Sequence, residues 1–251
     1  MDVIHGRNAV LEMLRADRRE VRRLILAKDA REGQRLRKIV EHARLNKIPL
    51  ERVDRAELDL VAKNHQSVVA ETSTFPYAKI ADILAKADEE GEAPLVLLLD
   101  ILQDPQNAGT LIRTAFAVGV HGVIFPPKRS VGITPGVVAA SAGMCEHMLV
   151  AVGNIAQTIR QLKRDGLWII GLEASAQAQK LDQLNLSGGI GLVIGGEERG
   201  MRRLVRESCD ALVRLPMRPG IDSLNASVAG SIVLYALWQV RGYGGADVLA
   251  P

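Results

Sequence analysis

Leu95-Val96-Leu97-Leu98-Leu99-Asp100-Ile101-Leu102-Gln103-Asp104-Pro105-Gln106-Asn107-Ala108-Gly109-Thr110-Leu111-Ile112-Arg113 opens as five consecutive aliphatic residues and closes as the start of a helix. An unbroken apolar run bounded by polar loop residues is the pattern of a parallel strand covered on both faces. Asp104-Pro105 starts a turn, and Asn107 to Gly109 leads into a helical segment near Gly109–Val118. Further apolar runs follow at Gly122–Phe125, His147–Val150, Leu167–Gly171, Gly191–Ile194 and Ala211–Leu215. Helical segments lie near Pro135–Gly143, Ile155–Arg164, Met201–Ser208 and Ser223–Arg241. Alternating strands and helices predict a doubly wound α/β sheet, which binds ligands beyond the carboxyl ends of its strands.

Working back towards the N-terminus, the pattern shortens. Gly6–Arg15 reads as a helix, Val21–Ala27 as a strand, Arg31–Asn46 as a helix and Ile48–Val53 as a strand. Asp54 with Glu57 three residues on resembles a capping box, and Val68–Thr72 is a strand. The expected organisation is a small α/β domain over 1–76, a helix and solvated linker over 77–93, and a larger domain over 94–251.

The chain has 251 residues, of which 47% are hydrophobic and 24% charged, a globular composition that excludes disordered and collagen-like classes. No run of 18 apolar residues suggests a membrane span, and Met1–Arg15 lacks a secretory layout, so a soluble cytoplasmic protein is expected. Its two cysteines, Cys145 and Cys209, form no C-x-x-C pair, and no His/Cys/Asp/Glu group has metal-ligand spacing, so no metal is expected. The net charge of +3 hides an uneven distribution. Residues 1–55 carry 15 Lys and Arg against 9 Asp and Glu, a density that suits a polyanion as well as it suits a solvated helix surface. Aromatic residues make up 3%, too few for a platform that stacks splayed bases, so phosphate contacts and shape would carry nucleic-acid binding.

Three loops concentrate the chemistry. The loop after Leu99 brings Asn107, Gly109 and Arg113 to a helix start, where an anion could be held. The loop after Ile194 reads Gly195-Gly196-Glu197-Glu198-Arg199-Gly200. Its glycines let a ligand approach the backbone, while its acids and the lack of a phosphate-loop signature disfavour nucleotide phosphate. The loop after Leu215 reads Pro216-Met217-Arg218-Pro219-Gly220-Ile221-Asp222-Ser223-Leu224-Asn225-Ala226-Ser227. Helix capping accounts for one of Ser223, Asn225 and Ser227, not for all three. His121 and His147 lie outside these loops and read as structural.

Together, in this order and each after a strand, the loops resemble the three motifs of the SpoU (TrmH) family of RNA ribose 2′-O-methyltransferases, of the SPOUT class. His5-Gly6-Arg7-Asn8-Ala9-Val10 resembles the opening of an L30e-like substrate-binding domain. Over its length the chain most resembles the bacterial enzymes that methylate a guanosine ribose in 23S rRNA. It departs from many relatives at Pro219, where they carry glycine, with Gly220 one position later.

The resemblance implies an α/β fold with a deep trefoil knot in the parallel-sheet domain, preceded by the L30e-like domain. It implies S-adenosylmethionine as methyl donor, with Gly195, Gly196, Leu215 and Leu224 lining its pocket. It implies catalytic roles for Arg113, Asn107, Glu197, Ser223 and Asn225, an RNA partner, and a homodimer formed through the catalytic domain. A tRNA ribose 2′-O-methyltransferase, or a non-catalytic RNA-binding protein on the same fold, is the alternative reading.

Overall fold

The computed structural model describes every residue except Ala176, Glu198, Asp222 and 246–251. The chain divides into two compact units, Met1–Pro76 with Gly132–His147, and Tyr77–Val131 with Met148–Pro251.

The first unit runs β1 (Asp2–His5), α1 (Arg7–Ala16), β2 (Val21–Ala27), α2 (Gln34–Leu45), β3 (Leu50–Val53), α3 (Arg55–Val61) and β4 (Val68–Thr72). Its sheet has the order β1-β4-β2-β3, with β2 and β3 parallel and the other pairs antiparallel. β1, a four-residue edge strand, is absent from the sequence expectation because it is too short to show a period. The α3 cap forms as expected, with the Glu57 side chain accepting from the Asp54 N–H at 3.1 Å.

The second unit contains α4 (Ile80–Glu90), β5 (Leu95–Asp100), α5 (Pro105–Ala117) and β6 (Gly122–Phe125). The chain next forms α6 (Pro135–Ala140) within the first unit and returns through β7 (Leu149–Val152), α7 (Ile155–Arg164), β8 (Trp168–Leu172) and β9 (Gln179–Lys180). β10 (Ile190–Gly195), α8 (Arg203–Ser208), β11 (Ala211–Arg214) and α9 (Ala226–Val240) complete it. The seven strands lie in the order β7-β6-β5-β10-β8-β11-β9, and every neighbouring pair is parallel. All six residues of β5 and of β10 are buried, as strands at the centre of a doubly covered sheet must be. One core joins Ile83 of α4, Ile155, Ile159 and Leu162 of α7 and Val205 of α8 to Val96, Leu98 and Val193 of the sheet. α9 lies close over β10 and α5 because Gly230 leaves room for Ile194 and Leu111, and the Thr114 and Ser231 hydroxyls are bonded at 2.9 Å.

The structure corrects two boundaries. The expected helix forms over 80–90 and leads into an exposed acidic run, but it belongs to the second unit, which begins at Tyr77: Ile83 and Ala87 are fully buried, and Gly122 makes space for Ile83. Residues 132–147 belong with the first unit, where Gly143, at φ 89, packs on Ala9 and Glu12 of α1. Glu146 there is fully buried against Arg19, a pairing that no local pattern announces.

Candidate functional site

At the carboxyl ends of β8, β10 and β11 the second unit carries a cavity of about 380 Å3. Register explains its place, since Ile194 pairs with Leu172, Leu172 with Val213 and Gly195 with Asp100, so these strands end side by side. Its walls come from the segments that leave each strand: Glu173 after β8, Gly195 to Glu197 at the end of β10, and Leu215, Met217 and Ser223 to Asn225 after β11. Of the residues expected to hold a cofactor, Gly195, Gly196, Leu215 and Leu224 all line it.

The glycines have a packing reason. A Cβ at Gly195 would collide with the Gly200–Met201 main chain, and one at Gly196 would meet the Ile101 carbonyl at 2.6 Å. The loop folds back on itself, with the Gly200 N–H donating to the Gly196 carbonyl at 3.0 Å. Gly200 adopts φ 62, a left-handed turn that disfavours residues with a Cβ. Asp100, fully buried at the end of β5, anchors the far side: it accepts from the Arg202 N–H at 2.8 Å and from the Arg202 guanidinium at 2.6 and 2.8 Å. Sequence reasoning missed Asp100, although an acid ending a wholly apolar run was the visible sign. It also missed Glu173, whose carboxylate pairs with Arg206 Nε at 3.0 Å and which no motif flanks.

Of the five residues expected to act in catalysis, three line this cavity. Glu197, Ser223 and Asn225 line it. Asn107, buried in the first turn of α5, is not among the lining residues but donates from Nδ2 to Glu197 Oε1 at 2.6 Å. Asn225 caps α9, its Oδ1 accepting from the Ser227 N–H at 2.9 Å, the Ser227 hydroxyl at 2.6 Å and the Val228 N–H at 3.3 Å. One side chain and its hydroxyl neighbour therefore use two of the three polar groups of this loop, and α9 begins at Ala226 instead of Ser223. Ser223 remains exposed at the cavity. Arg113 stands exposed on α5, outside the cavity lining, and makes no hydrogen bond or ion pair with the described residues. Glu198 lies outside the described residues.

Both histidines lie away from the cavity. His147 Nε2 is 3.1 Å from Glu12 in the first unit. His121 is buried, and its Nδ1 accepts from the Leu95 N–H at 3.0 Å. Its proton must then sit on Nε2, which faces Glu90 and Glu92 at 3.4 and 3.5 Å. Burial, partly offset by those acids, holds its pKa below the ordinary histidine value. The trio has the donor types of a cation site, but Nε2 could bind a metal only by giving up that proton while Nδ1 also stays unprotonated.

Known proteins resemble the chain over most of its length. Residues 94–235 match the model of the SpoU rRNA Methylase family, and residues 3–78 match that of RNA 2′-O ribose methyltransferase substrate binding. The chain is 42% identical over 244 residues to YacO of Bacillus subtilis, described as a TrmH family tRNA/rRNA methyltransferase, covering 96% of each. It resembles the SpoU methyltransferase AviRb from Streptomyces viridochromogenes, solved with AdoMet, at a TM-score of 0.78 and 21% identity, covering 96% of this chain and 91% of that one. The AdoMet-bound rRNA methyltransferase from Sinorhizobium meliloti gives a TM-score of 0.77 at 21% identity over 95% of this chain and 87% of that one.

Proposed function

Since the chain belongs to the SpoU RNA methylase family, we propose that it transfers the methyl group of S-adenosylmethionine to the ribose 2′-hydroxyl of a guanosine in 23S rRNA. The observation that carries this reading is the cavity itself, because the second and third loops build it together at the carboxyl ends of the strands. Its size suits a small-molecule cofactor, within the roughly 300–1,000 Å3 of such sites. Leu172, Ile194, Leu215, Leu224 and Ala229 supply apolar wall for an adenine and the methylene groups of a methionine chain, and Gly195 and Gly196 expose main-chain groups to read the ring edge. Glu173 and Glu197 suit a cationic ligand better than a phosphate. The deep trefoil knot implied by the family belongs to the same proposal.

When bound, the cofactor supplies an electrophilic methyl on a sulfonium. What the chain adds is positioning and charge. Arg113 has no partner among the described residues, and a guanidinium offers five donors and no acceptor, so it can hold the phosphate beside the target ribose and stabilise the developing alkoxide. It is a poor proton acceptor for the same reason. Asn107 fixes the Glu197 carboxylate, and Ser223 and Asn225, which line the cavity, orient the ribose.

Exposed Val228, Ile232 and Tyr235 form one stripe along α9, at spacings of four and three residues. This apolar face supports a homodimer formed through the second unit. Among the described residues no helix is long and apolar enough to cross a membrane, and we assign the activity to the cytoplasm, where ribosomal RNA is available.

The test is incubation with methyl-labelled S-adenosylmethionine and either unmodified 23S rRNA or unmodified tRNA, mapping alkali-resistant linkages, with Arg113→Ala as control. Label at one guanosine of 23S rRNA, lost in the variant, is expected. The tRNA/rRNA description of the Bacillus subtilis relative makes tRNA the second reading, and label there alone would replace the first. Label in neither would leave an RNA-binding protein.

A further inference from the structure

The first unit carries most of the chain's excess positive charge, and the structure separates the arginines that are neutralised from those that are not. Arg19 pairs with Glu146 and Asp2, Arg23 with Glu71 and Glu51, and Arg15 with Glu12. Those charges are spent within the fold. Arg7 and Arg31 have no acidic partner among the described residues, and together with Arg55, which pairs with Asp29, they line one cleft of about 590 Å3 with Gln66 and Ser67.

The topology brings them there. His5 pairs with Val69, Leu26 with Val68 and Ala27 with Val53, so the ends of β1, β2 and β3 and the start of β4 share one edge of the sheet. Arg7 begins α1 just after β1, Arg55 begins α3 just after β3, and Arg31 lies in the connection from β2 to α2. The cleft is thus assembled where β1 meets α1, β2 leads to α2, β3 meets α3 and α3 leads to β4.

Two of the arginines are held in place without losing their charge. Arg7 donates from Nε to the Gln66 carbonyl at 3.1 Å and from Nη2 to the Arg31 carbonyl at 2.8 Å, both neutral acceptors. Arg55 donates from Nη2 to the Ser67 hydroxyl at 2.9 Å and from Nε to Asp29 at 3.3 Å, and Asp29 is the one acid among the described residues that line the cleft. Arg31 is exposed and makes no side-chain bond with the described residues. Three cations face one anion.

The backbone opposite is unusual. Asn64, Gln66 and Ser67 adopt φ of 59, 50 and 69, left-handed values that non-glycine residues rarely take. Arg7 holds this turn through the Gln66 carbonyl, while His65 Nδ1 accepts from the Ser67 N–H at 2.9 Å. Strained turns of this kind cluster where a surface binds something. Gly33 has only Arg7 Nη1 near the place where a Cβ would stand, at 3.2 Å. Among the described residues no aromatic or aliphatic side chain lines the cleft, so it offers no platform on which a base could stack.

We infer that this cleft binds a phosphate of the RNA backbone, setting the position of the substrate strand without reading its sequence. The inference rests on the RNA-methylating function proposed above and names the surface of the first unit that serves it.

The test uses the full chain and in vitro transcribed 23S rRNA, with affinity measured across a salt series. Arg31→Gln removes an unpartnered exposed charge and leaves the fold intact. It should weaken binding on the order of five-fold and lower the slope of log affinity against log salt by about 0.7–0.9. Arg55→Gln should act in the same direction. Arg44→Gln, an equal charge change on an exposed residue in the last turn of α2, should leave both quantities close to wild type. Neither cleft variant should alter affinity for S-adenosylmethionine alone. If the cleft variants match Arg44→Gln while the wild type still methylates RNA, the inference is overturned and the proposed function stands. If the wild type binds neither 23S rRNA nor tRNA, both fall together.

Discussion

Asn107 Nδ2 lies 2.6 Å from Glu197 Oε1, a single bond joining the start of α5 to the glycine loop after β10 across 90 residues of sequence. It fixes the orientation of a carboxylate that would otherwise be free at the cavity wall. Asn107→Ala should therefore act on positioning more than on cofactor binding, because Asn107 does not itself line the cavity. Methyl transfer is expected to fall about 10²-fold with cofactor affinity changed by no more than about 3-fold. Single-turnover rates and calorimetric titration separate the two, and an equal loss in both would show that the bond supports the cofactor pocket instead.

The same loop sets up a contrast between two glycines. Gly195→Ala forces a Cβ into the Gly200–Met201 main chain, while Gly200→Ala meets open space but must hold φ 62. Overpacking against backbone should cost about 1–3 kcal/mol and abolish cofactor binding. The left-handed alanine should cost about 1–2 kcal/mol and leave binding measurable. Denaturant unfolding with cofactor titration tests this, and equal loss of binding in both would refute the packing account.

Much of this architecture is legible in the sequence. The unbroken run at Leu95–Leu99 announces a buried parallel strand because both its faces need apolar cover, and the loops after Ile194 and the β11 strand announce the cavity because ligands gather where such strands end. The features that stay hidden depend on partners far along the chain. Nothing local to Asp100 predicts Arg202, and nothing near Arg19 predicts Glu146, 127 residues away. Asn225 reads equally as a cap or as a catalytic group. Its oxygen is engaged in the cap and the residue also lines the cavity, so the cap does not take it out of the site.

His121 should make the second unit sensitive to acid. Burial lowers its pKa in the folded chain, so below the ordinary histidine range the unfolded chain takes up a proton that the folded chain refuses. Stability is thus retained above that range and lost as pH falls through it. In His121→Gln this acid-side loss should shrink. Both tryptophans, Trp168 and Trp238, lie in the second unit, so their fluorescence reports its unfolding. An unchanged pH slope in the variant would assign the loss to other groups.

The Arg19–Glu146 pair makes the first unit depend on residues 132–147. Arg19 donates to Glu146 from Nε at 2.9 Å and from Nη2 at 2.8 Å, with both side chains buried. Glu146→Gln keeps the shape and removes the charge, leaving a buried guanidinium with only the partly exposed Asp2 as counterion. Breaking one side of a buried pair should cost about 3–5 kcal/mol, whereas replacing both sides by apolar residues is often close to neutral. Arg19→Met with Glu146→Leu should then be more stable than Glu146→Gln alone. Because neither tryptophan lies in this unit, amide hydrogen exchange in β2 and β4 is the measurement of choice. Faster exchange in the single variant with partial recovery in the double one is the expected order. The reverse would mean that the pair stabilises the unit through its hydrogen-bond geometry more than through charge balance.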